Sequence, residues 1–311
     1  NLENEDLLED ICKKIYSPYR LKKEYWDTEN KIIDDLQLIK NTIRRSLRST
    51  VYDFHFEFHL AEHCNLNCIG CTHFSPLAEP EFLEVEDFRN DIERLSYLTG
   101  GNARFINLLG GEPLLHPEIN SFFKIAREYF PEAKISIVTN GILLPQMDNC
   151  FWTSCRENKI VIAVTEYPIG FDYLSIRNKI RNENIEFESF SGRQERYEMW
   201  SLFLDERGLN RPVDNFMKCQ RSNACVFCSH GKLFPCPTMA SIRHFNRIFD
   251  TKMEISESDY IDIYKVSSIQ EILDFLKNPV PFCRFCNVEK RKYGLLWQQS
   301  KCEKNEWCPI D

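Results

Sequence analysis

Three cysteines stand close together in the run Cys64-Asn65-Leu66-Asn67-Cys68-Ile69-Gly70-Cys71, with the spacing C-x3-C-x2-C. Three thiolates can bind three corners of a [4Fe–4S] cube and leave the fourth iron open. An iron with an open position can take a small chelating ligand and pass it an electron. Four thiolates close the site, as an electron carrier or as a zinc centre. The chain holds 14 cysteines in all, six of them at positions 219, 225, 228, 236, 283 and 286. In a secreted chain such a number would suggest disulfides. In a chain of this length without a signal pattern, clustered cysteines are expected to bind metal or do redox chemistry.

The elements around the first run can present it. Val51 to Leu60 alternate strictly, with Phe54, Phe56, Phe58 and Leu60 on one face and Asp53, His55, Glu57 and His59 on the other. That is a strand, and it runs straight into the cysteine loop. Four more strand candidates follow, at Arg104–Leu109, Lys134–Val138, Lys159–Val164 and Ile185–Phe190. Helical spacing fits Val85–Leu98, Ile119–Tyr129, Pro145–Arg156 and Phe171–Arg181. Strand and helix in alternation imply parallel strands joined by crossovers. A sixth strand after Ser191 is ambiguous. In such folds active sites collect where the strands end at their C-terminal side.

The strand ends carry further candidates. The second strand ends in Gly110-Gly111-Glu112-Pro113, where two glycines allow a sharp turn and a close approach to a ligand. The third ends in Thr139-Asn140-Gly141 and the fourth in Thr165-Glu166. Taken singly, these are plausible turns and polar strand ends. As an ordered set with the cysteine loop, they resemble the radical S-adenosylmethionine (SAM) enzymes over residues 51–290. The resemblance implies a partial (β/α)6 barrel of α/β class. It also implies a catalytic [4Fe–4S] cluster on Cys64, Cys68 and Cys71. SAM would be held by Gly110, Gly111 and Glu112, with Asn140 and Thr165 as further contacts. Reductive cleavage of SAM in this family gives a 5′-deoxyadenosyl radical that abstracts a hydrogen atom from substrate. One departure stands out. The residue before the last cysteine of the loop is usually aromatic and packs on adenine; here it is Gly70, and His73 or Phe74 is the expected replacement.

The later cysteines resemble the auxiliary-cluster pattern of the SPASM/twitch subclass. Cys219, Gly231 and Cys236 are followed by Cys283-x2-Cys286, and the longer continuation of the pattern is absent. The resemblance implies one auxiliary [4Fe–4S] cluster on Cys219, Cys236, Cys283 and Cys286, with Cys225 as a rival ligand. A zinc ribbon built from Cys225-x2-Cys228 and Cys283-x2-Cys286 is the structural alternative. Cys302 and Cys308 are spare, and Cys12, Cys150 and Cys155 read as buried thiols.

Three regions are expected: a helical extension over 1–50, the partial barrel over 51–215, and a small cysteine-rich domain over 216–311. An auxiliary cluster suited to accept an electron points to an oxidoreductase acting on a small polar substrate, such as a sugar, an aminocyclitol or a nucleotide sugar. Residues 1–50 are too short for the recognition domain of peptide-modifying relatives, which form the alternative, together with a redox-neutral epimerase or lyase. An iron–sulfur electron carrier and a zinc-binding module are the non-enzymatic alternatives. A flavodoxin- or ferredoxin-type reductant is the expected partner. Arg193, Arg196 and Tyr197 follow the fifth strand and could reach substrate. No residue is assigned as catalytic acid or base.

Charge and hydropathy narrow the classes. A net charge of −8 argues against nonspecific nucleic-acid binding, which needs a basic face. No apolar run approaches the roughly 20 residues of a membrane span, and Asn1 to Asp10 are acidic and polar. A cytoplasmic enzyme without membrane contact is therefore expected.

Overall fold

The computed structural model describes residues 54–189, 198–201, 204–219, 221–222 and 226–308. The expected helices of 1–50, and Cys12, Asp53, Arg193, Arg196, Tyr197 and Cys225, lie outside the described residues.

Strand and helix alternate from β1 (His55–Ala61) through α1 (Val85–Thr99), β2 (Phe105–Gly110), α2 (Ile119–Tyr129), β3 (Lys134–Thr139), α3 (Asn149–Glu157), β4 (Ile160–Val164), α4 (Tyr173–Asn182) and β5 (Phe187–Ser189). The helices form where apolar residues recur on one face: α1 buries Phe88, Ile92 and Leu95 against the sheet. It stops at Gly100, whose φ of 62° suits a residue without Cβ. Beyond these lie β6 (Glu198–Ser201), α5 (Pro212–Lys218), β7 (Val226–Ser229), β8 (Lys232–Phe234), α6 (Pro237–Phe249), β9 (Ile261–Asp262), α7 (Ile269–Leu276) and β10 (Lys292–Leu296).

Among the described residues the main sheet is open and has eight strands in the order β5-β4-β3-β2-β1-β7-β8-β9. Strands β1 to β5 and β7 are mutually parallel, and β8 and β9 add on antiparallel. The protein is thus an α/β fold built on a sheet of mainly parallel strands. The sixth parallel strand is β7, and it pairs with β1, with Phe56 opposite Val226 and Phe58 opposite Cys228. The ambiguous strand after Ser191 instead pairs with β10 in a separate two-stranded sheet.

This order buries β1 on both faces. Phe58 meets Phe88 of α1 edge-on at 4.9 Å, and the opposite face is also shut away, with Glu57 7% and His59 5% exposed. The polar face of β1 is therefore not solvated at Glu57 and His59, and the His59 ring packs edge-on against His73 and Phe227, each at 4.4 Å. One apolar core lies between the sheet and α1 to α4. A second gathers Phe74, Phe245, Phe282, Phe285 and Trp307, so that chain just past the cysteine loop is anchored against α6 and the C-terminal segment.

Candidate functional site

The cysteine run leaves the C-terminal end of β1 and folds into tight turns. Asn67 and Gly70 take φ of 54° and 60°, which asparagine tolerates and glycine adopts freely. All three thiols reach one cavity of about 530 Å³. The ends of β2, β3 and β4 reach it too, through Gly110, Gly111, Thr139, Asn140 and Thr165, with Tyr167 and Arg221 completing the wall. The Leu66 N–H donates to Cys64 Sγ at 3.4 Å, Asn140 Nδ2 lies 3.8 Å from the same sulfur, and Trp297 Nε1 donates to Cys68 Sγ at 3.1 Å. Burial pushes the Cys64 thiol up to about 11 and the Cys68 thiol up to about 12. Free, these groups hold their protons; metal binding would release them.

The donor set fits a cluster: three thiols lining one cavity could bind three irons of a cube and leave the fourth open.

The two glycines bring β2 against the cysteine loop. The Gly111 N–H donates to the Ala61 carbonyl at 2.7 Å, and the Glu112 N–H to the His63 carbonyl at 3.0 Å. A Cβ on Gly110 would sit 2.2 Å from the Ala61 oxygen, and one on Gly111 would sit 2.2 Å from the His63 oxygen. Side chains are thus excluded at both positions by the segment that leads into Cys64.

Glu112 lies behind the cavity wall rather than in it, with 0% exposure. Its carboxylate accepts from Thr139 Oγ1 at 2.6 Å, the Asn140 N–H at 3.0 Å and the Leu114 N–H at 3.1 Å. Burial raises its pKa to about 7 against the opposing pull of these donors. The carboxylate so clamps the Thr139-Asn140-Gly141 turn. Asn140 Nδ2 in turn donates to Asn65 Oδ1 at 2.7 Å, inside the cysteine run. The Thr165 N–H donates to the Thr139 carbonyl at 2.9 Å. Glu166 turns away to pair with Arg177.

His73 lines the cavity, with Nδ1 3.4 Å from the Gly110 carbonyl. Phe74 does not. It packs into the second core against Phe245 and Trp307, because its φ of 54° turns the chain inward. The aromatic surface near the thiols comes instead from Tyr167 and Trp297, whose rings lie 6.1 Å apart. Sequence reading missed both residues, as well as Arg221. An aromatic two positions past Thr165 is a signal that could have found Tyr167; no local pattern marks Trp297.

The second cysteine set also converges. Cys219, Cys236, Cys283 and Cys286 lie close together: Cys219 raises the proton affinity of Cys236, both raise that of Cys283, and all three raise that of Cys286. Burial is the larger cause, and it pushes Cys236 up to about 11. Cys236 caps the N-terminus of α6, where the Thr238 and Met239 N–H groups oppose that rise. Asn215 holds the Cys283–Cys286 turn by donating to the carbonyls of both cysteines, at 2.8 and 2.5 Å. Arg291 Nη2 lies 3.8 Å from Cys219 Sγ. Cys228 is elsewhere: it lies in the first core with its thiol 3.8 Å from Asp91 Oδ2. That overturns the zinc ribbon, since β7 pairs with β1 and turns Cys228 away from the other thiols. Cys302 is exposed, with its thiol on the Pro76 carbonyl at 3.5 Å. Cys150 is exposed and Cys155 buried, so the expectation of a buried thiol fails at Cys150.

A cysteine loop and three following strand ends thus line one cavity of an α/β protein. Residues 59–150 match the sequence profile of the radical SAM superfamily. Similar curated proteins are GTP 3′,8-cyclase of Chlorobaculum tepidum, 35% identical over 81 residues, and GTP 3′,8-cyclase of Sulfurovum sp., 29% identical over 87 residues. These matches cover 26% and 28% of this chain, and they span only about a quarter of each relative, 24% and 27%. Among solved structures, BtrN in complex with AdoMet and 2-DOIA aligns with 76% of this chain and 94% of its own, at 16% identity and a TM-score of 0.45. Streptococcus suis SuiB bound to precursor peptide SuiA aligns over 81% and 70%, at 12% identity and a TM-score of 0.35. Among the described residues no helix is long and apolar enough to cross a membrane.

Proposed function

We propose that the cavity at the strand ends is the active site of a radical SAM enzyme, with Cys64, Cys68 and Cys71 as cluster ligands. The observation that carries this reading is the convergence of three thiols and four strand ends on one cavity. Bound there, the cluster and SAM would supply a 5′-deoxyadenosyl radical. Gly110 and Gly111, which line the cavity, would let SAM approach the backbone closely. Asn140 and Thr165 would offer polar contacts from the neighbouring strands. Glu112 would act from behind, by holding the Asn140 turn in place.

The second cysteine set would hold one auxiliary cluster on Cys219, Cys236, Cys283 and Cys286. It would serve as acceptor for the electron that a substrate radical gives up with its proton, which makes the net reaction a two-electron oxidation. A small polar substrate reached through the cavity suits this chemistry, and Arg221 in the wall suits an anionic group on it. The name of the GTP 3′,8-cyclase relatives favours a second reading, a cyclisation of a purine nucleotide without net oxidation. A one-electron reductant of flavodoxin or ferredoxin type would start either reaction.

Anaerobic reconstitution tests both cysteine sets. The reading expects about eight irons per chain and reductive formation of 5′-deoxyadenosine. The Cys64→Ala, Cys68→Ala, Cys71→Ala triple variant should keep about half of the iron and form no 5′-deoxyadenosine. Continued SAM cleavage in that variant would sink the assignment.

A further inference from the structure

The segment after β10 lies along the cysteine loop. The Ile69 N–H donates to the Gln298 carbonyl at 2.9 Å, and the Ser300 N–H to the Asn67 carbonyl at 2.8 Å. Cys68 and Gln299 form an antiparallel bridge between them. Further on, Trp307 Nε1 donates to the Cys71 carbonyl at 2.7 Å. The loop that offers three thiols is therefore paired, residue against residue, with a strap from the far end of the chain.

The strap carries a donor aimed at one sulfur. Trp297 Nε1–H points at Cys68 Sγ at 3.1 Å. The indole is steadied by the Tyr167 ring at 6.1 Å, and the Tyr167 side chain also hydrogen-bonds Cys68. Cys64 is served differently, by the Leu66 N–H two residues away in its own loop. Tryptophan is a donor with no acceptor capacity, so this contact favours whichever state of the sulfur is more negative.

We propose that Trp297 sets the reduction potential of the cluster held by Cys64, Cys68 and Cys71, with residues 297–300 as the strap that fixes the indole on Cys68. The proposal rests on the cluster reading given above. One electron enters the cluster from the reductant, and the added charge is shared with its thiolates. A hydrogen bond to a charged acceptor is roughly twice as strong as one to a neutral acceptor. The indole N–H therefore stabilises the reduced state more than the oxidised state and raises the potential, without giving up its proton. Hydrogen bonds to sulfur are among the determinants of such potentials. Trp297 is a positioning residue here, since it touches the ligand and not the substrate.

Trp297→Phe keeps a ring beside Tyr167 and removes the donor. A redox titration with dithionite and mediators, followed by electron paramagnetic resonance, reads the signal that the Cys64, Cys68, Cys71 triple variant lacks. The equilibrium constant for reduction should fall about tenfold, a shift of about 59 mV to lower potential for a one-electron couple. Iron content should stay at the wild-type level. An unchanged potential at full iron content overturns the proposal. If the variant fails to load iron, wild-type protein labelled with 15N-tryptophan decides the matter. A nitrogen coupling to the reduced cluster upholds the donor, and its absence overturns it. Wild-type protein that binds no iron at the triad refutes the underlying reading instead, so the two failures are distinct.

Discussion

Gly111 is where the packing of the site can be tested by one methyl group. A Cβ there would lie 2.2 Å from the His63 oxygen, 2.4 Å from the His63 carbonyl carbon and 2.8 Å from the Glu62 oxygen. Ordinary contact begins at 3.4 Å, so the two backbones must part by about 1 Å. All three atoms are main chain, and no side chain can rotate away. The segment that must move leads directly into Cys64, and it holds the hydrogen bonds from Gly111 to Ala61 and from Glu112 to His63. Overpacking costs about 1–3 kcal/mol, and a weakened hydrogen bond adds about 1 kcal/mol. Gly111→Ala should therefore lose about 2–4 kcal/mol, which for a chain of this size lowers Tm by roughly 3–6 °C. A displacement of about 1 Å at the cysteine loop should cut turnover about 100-fold. The assay is calorimetry of the unloaded protein, together with iron content and 5′-deoxyadenosine formation after reconstitution. Gly170→Ala is the control. Unlike Gly111 it has a positive φ, 73°, but nothing lies within 4 Å of its added Cβ, so it should lose only the roughly 1–2 kcal/mol of left-handed backbone strain and keep its iron. A Gly111→Ala protein with wild-type Tm, iron and activity would refute the close approach of β2 to the cysteine loop.

Glu112→Ala leaves the Asn140 and Leu114 N–H groups and the Thr139 hydroxyl without their acceptor. It should cost about 3–5 kcal/mol and weaken SAM binding by calorimetry; unchanged SAM affinity would contradict the clamp. With its pKa raised from 4.5 to about 7, folded Glu112 holds a proton that the unfolded chain has already lost. Its contribution is therefore fully present below pH 4.5 and is lost as pH rises through 7, by about 3 kcal/mol. Glu112→Gln should abolish that slope between pH 4.5 and 7 in unloaded protein, and parallel wild-type and variant curves would count against it. Replacing Cys283 and Cys286 with Ala should remove about four irons and stop product formation while SAM cleavage continues. Zinc at that site, or full turnover without it, would end the oxidoreductase reading.

Much of the fold was legible because its signals are local. Helical spacing over Ile119–Tyr129 reflects the face that α2 buries, and α2 has the expected bounds; polar and apolar alternation marked β1 as a strand, although it is buried on both faces. The cysteine run and the turns at Gly110 and Thr139 could be placed at strand ends for the same reason. Inference failed where a residue's role depends on a distant neighbour. Phe74 was a reasonable aromatic for the cavity until the second core claimed it. Cys228 has the spacing of a metal ligand, yet strand pairing turns its thiol to Asp91.

The sequence by itself determined the period of each element, the order of the turns and the chemical types available at the strand ends. These follow from backbone geometry and side-chain polarity within a few residues. Only the tertiary structure decided that β7 lies beside β1, that Glu112 faces inward and that Trp297 meets Cys68 across 229 residues of chain. Each of these depends on which surfaces pack together once water is excluded. Burial energy summed over the whole molecule makes that choice, and no window of neighbouring residues contains it.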